Sequence, residues 1–499
     1  MIKIDHVSFV YDQAEFGDRI EDINLTVEDG QVVLLCGESG SGKTTFTRLI
    51  NGLIPFYYEG ELTGEVYIDD LCVSREPLYK TAARVGSVFQ NPKSQFYTIL
   101  ADTEIVFACE NLGMPREEIL SRFDETVSSM HIEKLLGRNL FRMSGGEKQR
   151  IACASVDALR PDILVLDEPS SNLDISGIRD LRRIIALWKK AGKTVIICEH
   201  RLSWLRGLAD RVIIFDSGRI SEDLSAEDFW ARTPEELHRA GLRAPFALSG
   251  IGADPAEETE GSLVFRNFEY KYKKAAAESL HIHDLAVPEG SVVAVLGDNG
   301  AGKSTFARCL CGLEKKCTGV VTYKGKDYKT RDRIDLCYMV MQDVNHQLFA
   351  QSVLEETLLG SALAKGENPE AAASEVLEKL DLLEYKDLHP MSLSGGQRQR
   401  VAIASAVASG RDVIVYDEPT SGLDYRHMKD VAGYIKRLAR TGRTQFVITH
   451  DPELVAGCCD YYVFIKDGNA VRAGRWDGED VDFISAYFAD ERKEQTCRA

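Results

Sequence analysis

Nowhere in these 499 residues does an apolar run approach the roughly 18 to 20 residues that a membrane-crossing helix requires. The runs Val32-Val33-Leu34-Leu35-Cys36 and Val292-Val293-Ala294-Val295-Leu296 have the length of buried strands. The start of the chain, Met1-Ile2-Lys3-Ile4-Asp5-His6, lacks the basic-then-apolar pattern of a signal peptide. These two absences predict a protein kept in the cytoplasm. Positive charge is also short: 60 Lys and Arg stand against 78 Asp and Glu, a net charge of −18. Displacing counterions from nucleic-acid phosphates needs cationic side chains, so no nucleic-acid partner is expected beyond what a local basic patch could hold. Cysteine is present, at 12 residues, but scattered, and a reducing compartment makes disulfides unexpected. Cys309, Cys311 and Cys317 follow a C-x-C-x5-C spacing that is uncommon for zinc and has no fourth ligand nearby. They read as small core residues, as do Cys36 and Cys198.

What remains is ordinary for a globular protein, with 44% hydrophobic and 28% charged residues. The organisation is not ordinary, because the chain repeats itself. Met143-Ser144-Gly145-Gly146-Glu147-Lys148-Gln149-Arg150 recurs as Leu393-Ser394-Gly395-Gly396-Gln397-Arg398-Gln399-Arg400. Asp167-Glu168-Pro169 recurs as Asp417-Glu418-Pro419, and His200 as His450. All three pairs are offset by 250 residues. Gly37-Glu38-Ser39-Gly40-Ser41-Gly42-Lys43-Thr44 recurs as Gly297-Asp298-Asn299-Gly300-Ala301-Gly302-Lys303-Ser304, offset by 260, so the first copy carries ten extra residues between its first and third motifs. We expect two domains, 1–244 and 262–499, joined by a linker at 245–261 that is rich in Ala, Gly, Pro and Glu. Residues 227–240 read as one amphipathic helix before that linker, and a new strand is expected from Leu263. The role of the tail from Trp476 is not legible.

Within each copy, short β-branched runs alternate with amphipathic stretches. Ile163–Leu166 and Thr194–Cys198 read as strands buried on both faces, with a helix from Arg179 to Ala191 between them. The fold class expected is α/β, each copy a mostly parallel sheet.

The segment Gly37 to Thr44 fits G-x-x-x-x-G-K-[ST], follows a strand and opens a helix at Lys43, the context that marks a phosphate-binding loop. Gly37, Gly40 and Gly42 let the backbone bend tightly and approach phosphates without a Cβ. The amides, with Ser39 and Thr45 among them, then form an anion cradle at a helix N-terminus. Lys43 would neutralise β- and γ-phosphates, and Thr44 would ligate Mg²⁺. Gly297, Asn299, Gly300, Gly302, Lys303, Ser304 and Thr305 repeat the set. Asp167 and Asp417 end apolar strands, where a hard oxygen ligand could reach Mg²⁺ through water. Glu168 and Glu418, one residue on, could accept a proton from an attacking water or orient it. Each lies 24 residues after its Ser-Gly-Gly, and His200 and His450 lie 32 residues further, the position for a γ-phosphate sensor. Tyr11 and Tyr272 precede the phosphate loops, on segments expected at sheet edges, and an aromatic face there could stack on adenine. Tyr272 is preferred to Tyr270 only by matching Phe9-Val10-Tyr11 to Tyr270-Lys271-Tyr272.

A phosphate loop, a Ser-Gly-Gly-Glu/Gln signature, Asp-Glu and a later His, in this order and twice, resemble the ABC ATPases nearly end to end. The resemblance implies two P-loop domains, each with a mostly parallel sheet core, an antiparallel β subdomain and a helical signature subdomain. It implies that the domains pair within the chain, head to tail, around two ATP molecules. Lys43, Glu168 and His200 would then work with Ser394, Gly395 and Gly396, and Lys303, Glu418 and His450 with Ser144, Gly145 and Gly146. Gln90 and Gln342 resemble the family's Q-loop glutamines, which touch Mg²⁺ and water. Val88 to Gln95, and Glu104 to Gly113 further on, look like the cobalt and energy-coupling-factor branch, whose ATPases drive vitamin and metal-ion uptake. Met341 to Phe349 is a looser match. Glu147 departs from the usual signature glutamine, and Asn172 from the usual glycine after Ser171.

The resemblance implies an ATPase subunit at the cytoplasmic face of the cell membrane, held through integral membrane partners: a transmembrane scaffold and a small substrate-binding subunit. Among Asp102, Glu104, Glu110, Asp343, Glu355 and Glu356, some are expected to receive basic helices of those partners. A tandem sugar-type importer ATPase has a similar layout, but its two sites usually diverge. A soluble ribosome-acting tandem ATPase would carry a long charged linker, which 245–261 is not.

Overall fold

The computed structural model describes residues 1–12, 19–171, 173–244, 261–273, 278–359, 361 and 368–489. Most of the expected linker, and Asn172, lie outside the described residues. The chain forms two compact units, the first built on Met1–Pro245 and the second on Phe246–Leu423 and His427–Ala499.

In the first unit the strands are β1 (Ile2–Tyr11), β2 (Arg19–Val27), β3 (Val32–Gly37), β4 (Gly60–Ile68), β5 (Leu71–Cys72), β6 (Val85–Val88), β7 (Ile163–Asp167), β8 (Thr194–Cys198), β9 (Arg211–Asp216) and β10 (Arg219–Ser225). They make an antiparallel sheet ordered β2-β1-β4-β5 and a six-stranded sheet ordered β10-β9-β3-β8-β7-β6. In the larger sheet β9, β3, β8, β7 and β6 run parallel, and β10 adds an antiparallel edge. Every residue of β3 and β8 is buried. The period-2 alternation of a strand then serves two layers. Val33 and Leu35 pack with β1, β2 and β4 and with Phe46, Leu49 and Ile50 of the helix Lys43–Ile50. Val32, Leu34 and Cys36 face a helical layer that includes Ile105, Ile151 and Trp188.

The second unit repeats this plan with β11 (Ser262–Tyr270), β12 (Leu280–Pro288), β13 (Val292–Leu296), β14 (Val320–Tyr323), β15 (Lys326–Tyr328), β16 (Cys337–Val340), β17 (Val413–Asp417), β18 (Thr444–Ile448), β19 (Tyr461–Lys466) and β20 (Asn469–Arg475). Its sheets are ordered β12-β11-β14-β15 and β16-β17-β18-β13-β19-β20. Its core between the sheets is aromatic, with Phe265, Phe268, Phe306 and Phe446 all fully buried and their rings 5.4–6.1 Å apart. Cys309, Cys311 and Cys317 belong to this core, and Cys36 and Cys198 to that of the first unit.

Three expectations need correction. Residues 227–240 form two helices, Ala226–Trp230 and Pro234–Arg239. Pro234 lacks the N–H that would continue a helix, and Thr233 with Glu236 closes a capping box that starts a new one. The helix expected from Arg179 starts at Ile175, because the Asp174 side chain accepts from Gly177 N at 2.8 Å and caps it there. Finally, Tyr11 is not on an edge: it ends β1, which lies between β2 and β4. Tyr272 lies two residues beyond β11.

The ten extra residues of the first copy are also placed. Gly64 and Gly319 are equivalent, both at positive φ, where an added Cβ would meet the carbonyls of Asp5 and His6 or of Arg266 and Asn267 at 2.2–2.5 Å. Five of the extra residues precede this glycine, three lie between it and the Q-loop glutamine, and two follow before the signature.

Candidate nucleotide-binding site

Each larger sheet delivers its polar residues at the carboxyl ends of its parallel strands. In the first unit β3 ends in Gly37 at φ 144°, where an added Cβ would sit 2.2 Å from the Phe215 carbonyl oxygen. The loop then passes Gly40 and Gly42, at φ 78° and 101°, into the helix at Lys43. An added Cβ on Gly42 would meet Ile20 at 2.7 Å, whereas nothing lies within 4 Å of one on Gly40. One glycine is therefore required by packing, and the other faces open space over the helix N-terminus. Lys43 is buried, and its Nζ donates to the carbonyls of Gly37 (2.9 Å) and Glu38 (2.7 Å). The ammonium is thus held beneath the loop's own backbone. In the second unit Gly297, Gly300 and Gly302 have φ of 143°, 80° and 108°. Lys303 Nζ donates to Gly297 O (2.7 Å) and Asp298 O (3.0 Å). Ser39, Asn299 and Gly300 lie exposed at the loop tips.

The carboxylates come from the neighbouring strands. Thr44 Oγ1 donates to Asp167 Oδ1 at 3.3 Å, and Ser304 Oγ to Asp417 Oδ1 at 3.4 Å. Burial pushes the Asp167 carboxyl up to about 6, with a further push from Glu168, and burial likewise raises that of Asp417. A hydroxyl, a costly buried carboxylate and a nearby amide are hard oxygen donors, a set that suits Mg²⁺.

Glu168 and Glu418 both have left-handed backbones, φ 43° and 49°. Such a conformation costs about 1–3 kcal/mol in a residue with a side chain and persists only where its surroundings impose it. Here Glu168 N donates to Cys198 O and Glu418 N to Ile448 O, each at 2.9 Å. The Glu168 carboxylate gathers two of the sequence-predicted residues: Gln90 Nε2 donates at 2.7 Å, and His200 Nε2 lies 3.4 Å away. In the second unit His450 Nε2 lies 3.7 Å from Glu418 Oε1, and Glu418 Oε2 accepts from Thr449 Oγ1 and His450 N at 3.4 Å. Gln342 is exposed at the end of β16, as Gln90 is beyond β6.

Ser144 and Ser394 cap the helices Gly145–Asp157 and Gly395–Ala408, each in a capping box. Ser144, Gly145, Ser394 and Gly395 are exposed, so both helix N-termini present amides outward. The departure at Glu147 is accommodated locally. Its carboxylate accepts from Ser144 N (2.8 Å) and from Arg138 at 2.5 and 3.2 Å. Gln397 makes the same bond to Ser394 N, at 2.9 Å, with Leu388 in place of arginine.

The two tyrosines are equivalent in position. Tyr11 OH pairs with Thr45 Oγ1 at 3.1 Å and Tyr272 OH with Thr305 Oγ1 at 3.3 Å, while Tyr270 OH donates to Glu314 instead. Tyr11 also meets the edge of Tyr58, over which Arg48 lies at 4.0 Å.

Some residues escaped the sequence reasoning. Gln95 Oε1 accepts from Phe89 N and its Nε2 donates to Ser87 O, and Gln347 does the same with Met341 N and Met339 O. They pin the exits of β6 and β16, and their common spacing of five from Gln90 and Gln342 was the available signal. Glu199 and Asp451, on opposite sides of the two histidines, gave no such signal. Glu104 and Glu356 are not surface acids: both are buried, taking backbone N–H groups of Tyr97 and Thr98, or of Phe349 and Ala350. They drop out as docking residues, whereas Glu110, Asp343 and Glu355 are exposed.

Comparison with known proteins agrees with this arrangement. The family profile described as ABC transporter matches residues 20–171 and 280–421. Two proteins of Treponema denticola, both named as ABC transporter ATP-binding proteins, are 41% and 37% identical. Their alignments cover 95% and 94% of this chain and 96% of each relative. A Methanosarcina mazei protein of the same name is 33% identical over 95% of this chain and 89% of its own. Among solved structures, an RNase-L inhibitor superposes with a TM-score of 0.65 at 21% identity, covering 94% of this chain and 90% of that one, a likeness of fold alone. Two phosphate loops, two Asp-Glu strand ends and two histidines, on a pair of matching α/β units, together with relatives alike over nearly their whole length, place the chain in the ABC transporter ATP-binding family as a tandem ATPase.

Proposed function

We propose that this chain powers a membrane importer of the energy-coupling-factor type, hydrolysing ATP at two composite sites. The observation that carries the chemistry is the gathering of Gln90 and His200 around Glu168, beside the Thr44–Asp167 pair. The phosphate-loop amides and Lys43 bind the β- and γ-phosphates, and Tyr11 offers its ring to adenine. Thr44, Asp167 and Gln90 hold Mg²⁺, which when bound neutralises phosphate charge. Glu168 orients the attacking water and accepts its proton, and His200 donates to the γ-phosphate. Lys303, Ser304, Asp417, Gln342, Glu418, His450 and Tyr272 repeat these roles. Ser394, Gly395 and Gly396 complete the first site, and Ser144, Gly145 and Gly146 the second, through helix N-termini suited to anions.

The transport role is supported by relatives named as transporter ATP-binding proteins. Among the described residues no helix is long and apolar enough to cross a membrane, so the span belongs to partner subunits in this reading. The energy-coupling-factor branch rests on the wording of Val88–Gln95 and Glu104–Gly113. Exposed Glu110, Asp343 and Glu355 then face basic helices of a transmembrane scaffold, which holds the chain at the cytoplasmic face of the membrane.

Two experiments test this. Glu168→Gln and Glu418→Gln together should lower ATPase by at least ~100-fold, the usual worth of a positioned base. A double variant that keeps half its activity refutes the assignment. Affinity capture from gently solubilised native membranes should recover one multi-span scaffold with a small hydrophobic subunit. Recovery of ribosomes, or of a permease with an extracellular binding protein, would overturn the choice of partner and leave the ATPase chemistry standing.

A further inference from the structure

The two histidine loops are built differently. The first reads Glu199-His200-Arg201 and the second Thr449-His450-Asp451, so the acid changes sides. Glu199 is 2% exposed. One of its oxygens accepts from the backbone N–H groups of His200 (2.8 Å) and Arg201 (3.1 Å). The other accepts from Ser170 N (3.3 Å), two residues after Glu168. A single buried carboxylate thus ties the turn that carries Glu168 to the turn that carries His200. In the second unit Asp451 is 1% exposed and receives Thr420 Oγ1 at 2.8 Å. Thr420 stands two residues after Glu418, as Ser170 stands after Glu168. The other oxygen of Asp451 caps the helix Pro452–Cys458 through Glu453 N and Leu454 N. Both units therefore anchor the turn after the glutamate to the histidine loop with one buried acid, reached from opposite directions.

We propose that Glu199 is a positioning residue of the first ATP site, setting the His200–Glu168 geometry that Asp451 sets for His450 and Glu418. This rests on the roles assigned above to Glu168 and His200. Burial pushes the Glu199 carboxyl up, and its three N–H donors partly offset that cost. Three amides converging on one carboxylate fix both turns. The 3.4 Å His200–Glu168 approach is then set by backbone, with no need for a longer side-chain chain of contacts. Because Glu199 faces amides and not the γ-phosphate side of the site, its loss disturbs the alignment of the reacting groups more than the binding of nucleotide. The signature of such a loss is a fall in kcat with little change in KM.

The test uses the full chain and steady-state ATPase. Glu199→Ala should lower kcat, by up to twofold, the share of the first site, if the sites fire independently, and by ten-fold or more if they fire only together. KM for ATP should stay within about twofold. Glu199→Thr combined with Arg201→Asp moves the acid to the second unit's position and should restore most of kcat. Glu199→Gln, which keeps one acceptor oxygen, should fall between. An unchanged kcat in Glu199→Ala overturns the proposal, as does a rise in KM alone. So does a relocated acid that melts like the parent yet is no more active than the alanine variant. If Glu199→Ala does not fold, Glu199→Gln and the relocated pair decide the matter. Glu168→Gln run in parallel separates the two readings: unchanged activity there refutes the site, whereas lost activity there with intact Glu199→Ala refutes only the positioning role.

Discussion

Replacing Arg138 with leucine would give the first signature helix the neighbour that the second already has in Leu388. Arg138 meets Glu147 through two nitrogens, and the two side chains are 42% and 28% exposed. Exposed ion pairs contribute about 0–1 kcal/mol, and two-pronged arginine contacts lie at the upper end. Loss of Arg138 leaves Glu147 bonded to Ser144 N at a helix N-terminus, where a carboxylate is still welcome. The expected cost is therefore about 0.5–1 kcal/mol. Glu147→Gln alone should cost a similar amount, by stranding the arginine. The double variant should be within ~0.3 kcal/mol of the parent, because Gln397 beside Leu388 shows that the neutral pair caps the helix equally well. The coupling is thus about 1 kcal/mol, or fivefold in an equilibrium constant, and it should shrink in 1 M salt. Burial works to raise the Glu147 carboxyl, but Arg138 and the Ser144 N–H outweigh it and hold the group below the ordinary glutamate value. The coupling is accordingly present at pH 7 and fades as pH falls through that lowered value. Chemical denaturation followed by tryptophan fluorescence measures it, since Trp188, Trp204 and Trp230 report on the first unit and Trp476 on the second. Additive effects of the two substitutions at pH 7 and low salt would refute the reasoning.

Glu104→Ala leaves the Tyr97 and Thr98 amides without their acceptor, while the Thr98 hydroxyl keeps the Leu100 carbonyl. It should destabilise the first unit by about 2–4 kcal/mol in the same denaturation assay, with Glu104→Gln recovering part, whereas Glu110→Lys on the exposed face should change stability by less than ~0.5 kcal/mol. Asp460, which accepts from Val292 N at 3.0 Å, is pushed up to about 6 by burial. Its folded value exceeds the ordinary ~3.9, so it stabilises the fold at low pH, and that contribution is lost as pH rises from about 4 through 6. Asp460→Asn should remove about 2–3 kcal/mol of pH dependence over that interval from the second unit's unfolding, and an unchanged slope would contradict the assignment.

The sequence made the phosphate loops, the strand-end carboxylates and the histidines legible because each is tied to its neighbours by local backbone chemistry. A glycine that must turn, a lysine at a helix start and an acid at the end of an apolar strand all announce themselves at short range. The arrangement around Glu168 needed more, because Gln90 and His200 approach it from 78 and 32 residues away, and only the resemblance to the ABC ATPases for Gln90 and the repeat for His200 brought them together. Glu104 misled for the opposite reason. An acid on an amphipathic stretch looks solvent-facing until the preceding loop is seen to fold back on it. Glu199 was invisible because its partners are backbone amides, which no side-chain pattern records. The break at Thr233-Pro234 was legible in principle, since a capping threonine and a proline stand side by side in the middle of an apparently continuous helix.

Nature has carried out an insertion scan on this domain by copying it and letting the copies drift apart in length. Every added residue of the first copy falls before the signature, half of them ahead of Gly64. From Ser-Gly-Gly to the histidine neither copy has gained or lost a residue, although side chains there changed freely. That stretch threads the buried parallel strands β7 and β8, or β17 and β18, whose registers set Asp167 against Cys198 and Asp417 against Ile448. One residue more would turn each inward side chain outward and carry the acid away from the phosphate loop. A fluorescent reporter or an affinity tag should therefore go ahead of β4, at exposed Phe56–Tyr57 in the stretch where the chain has already accepted extra length, and never between the signature and the histidine.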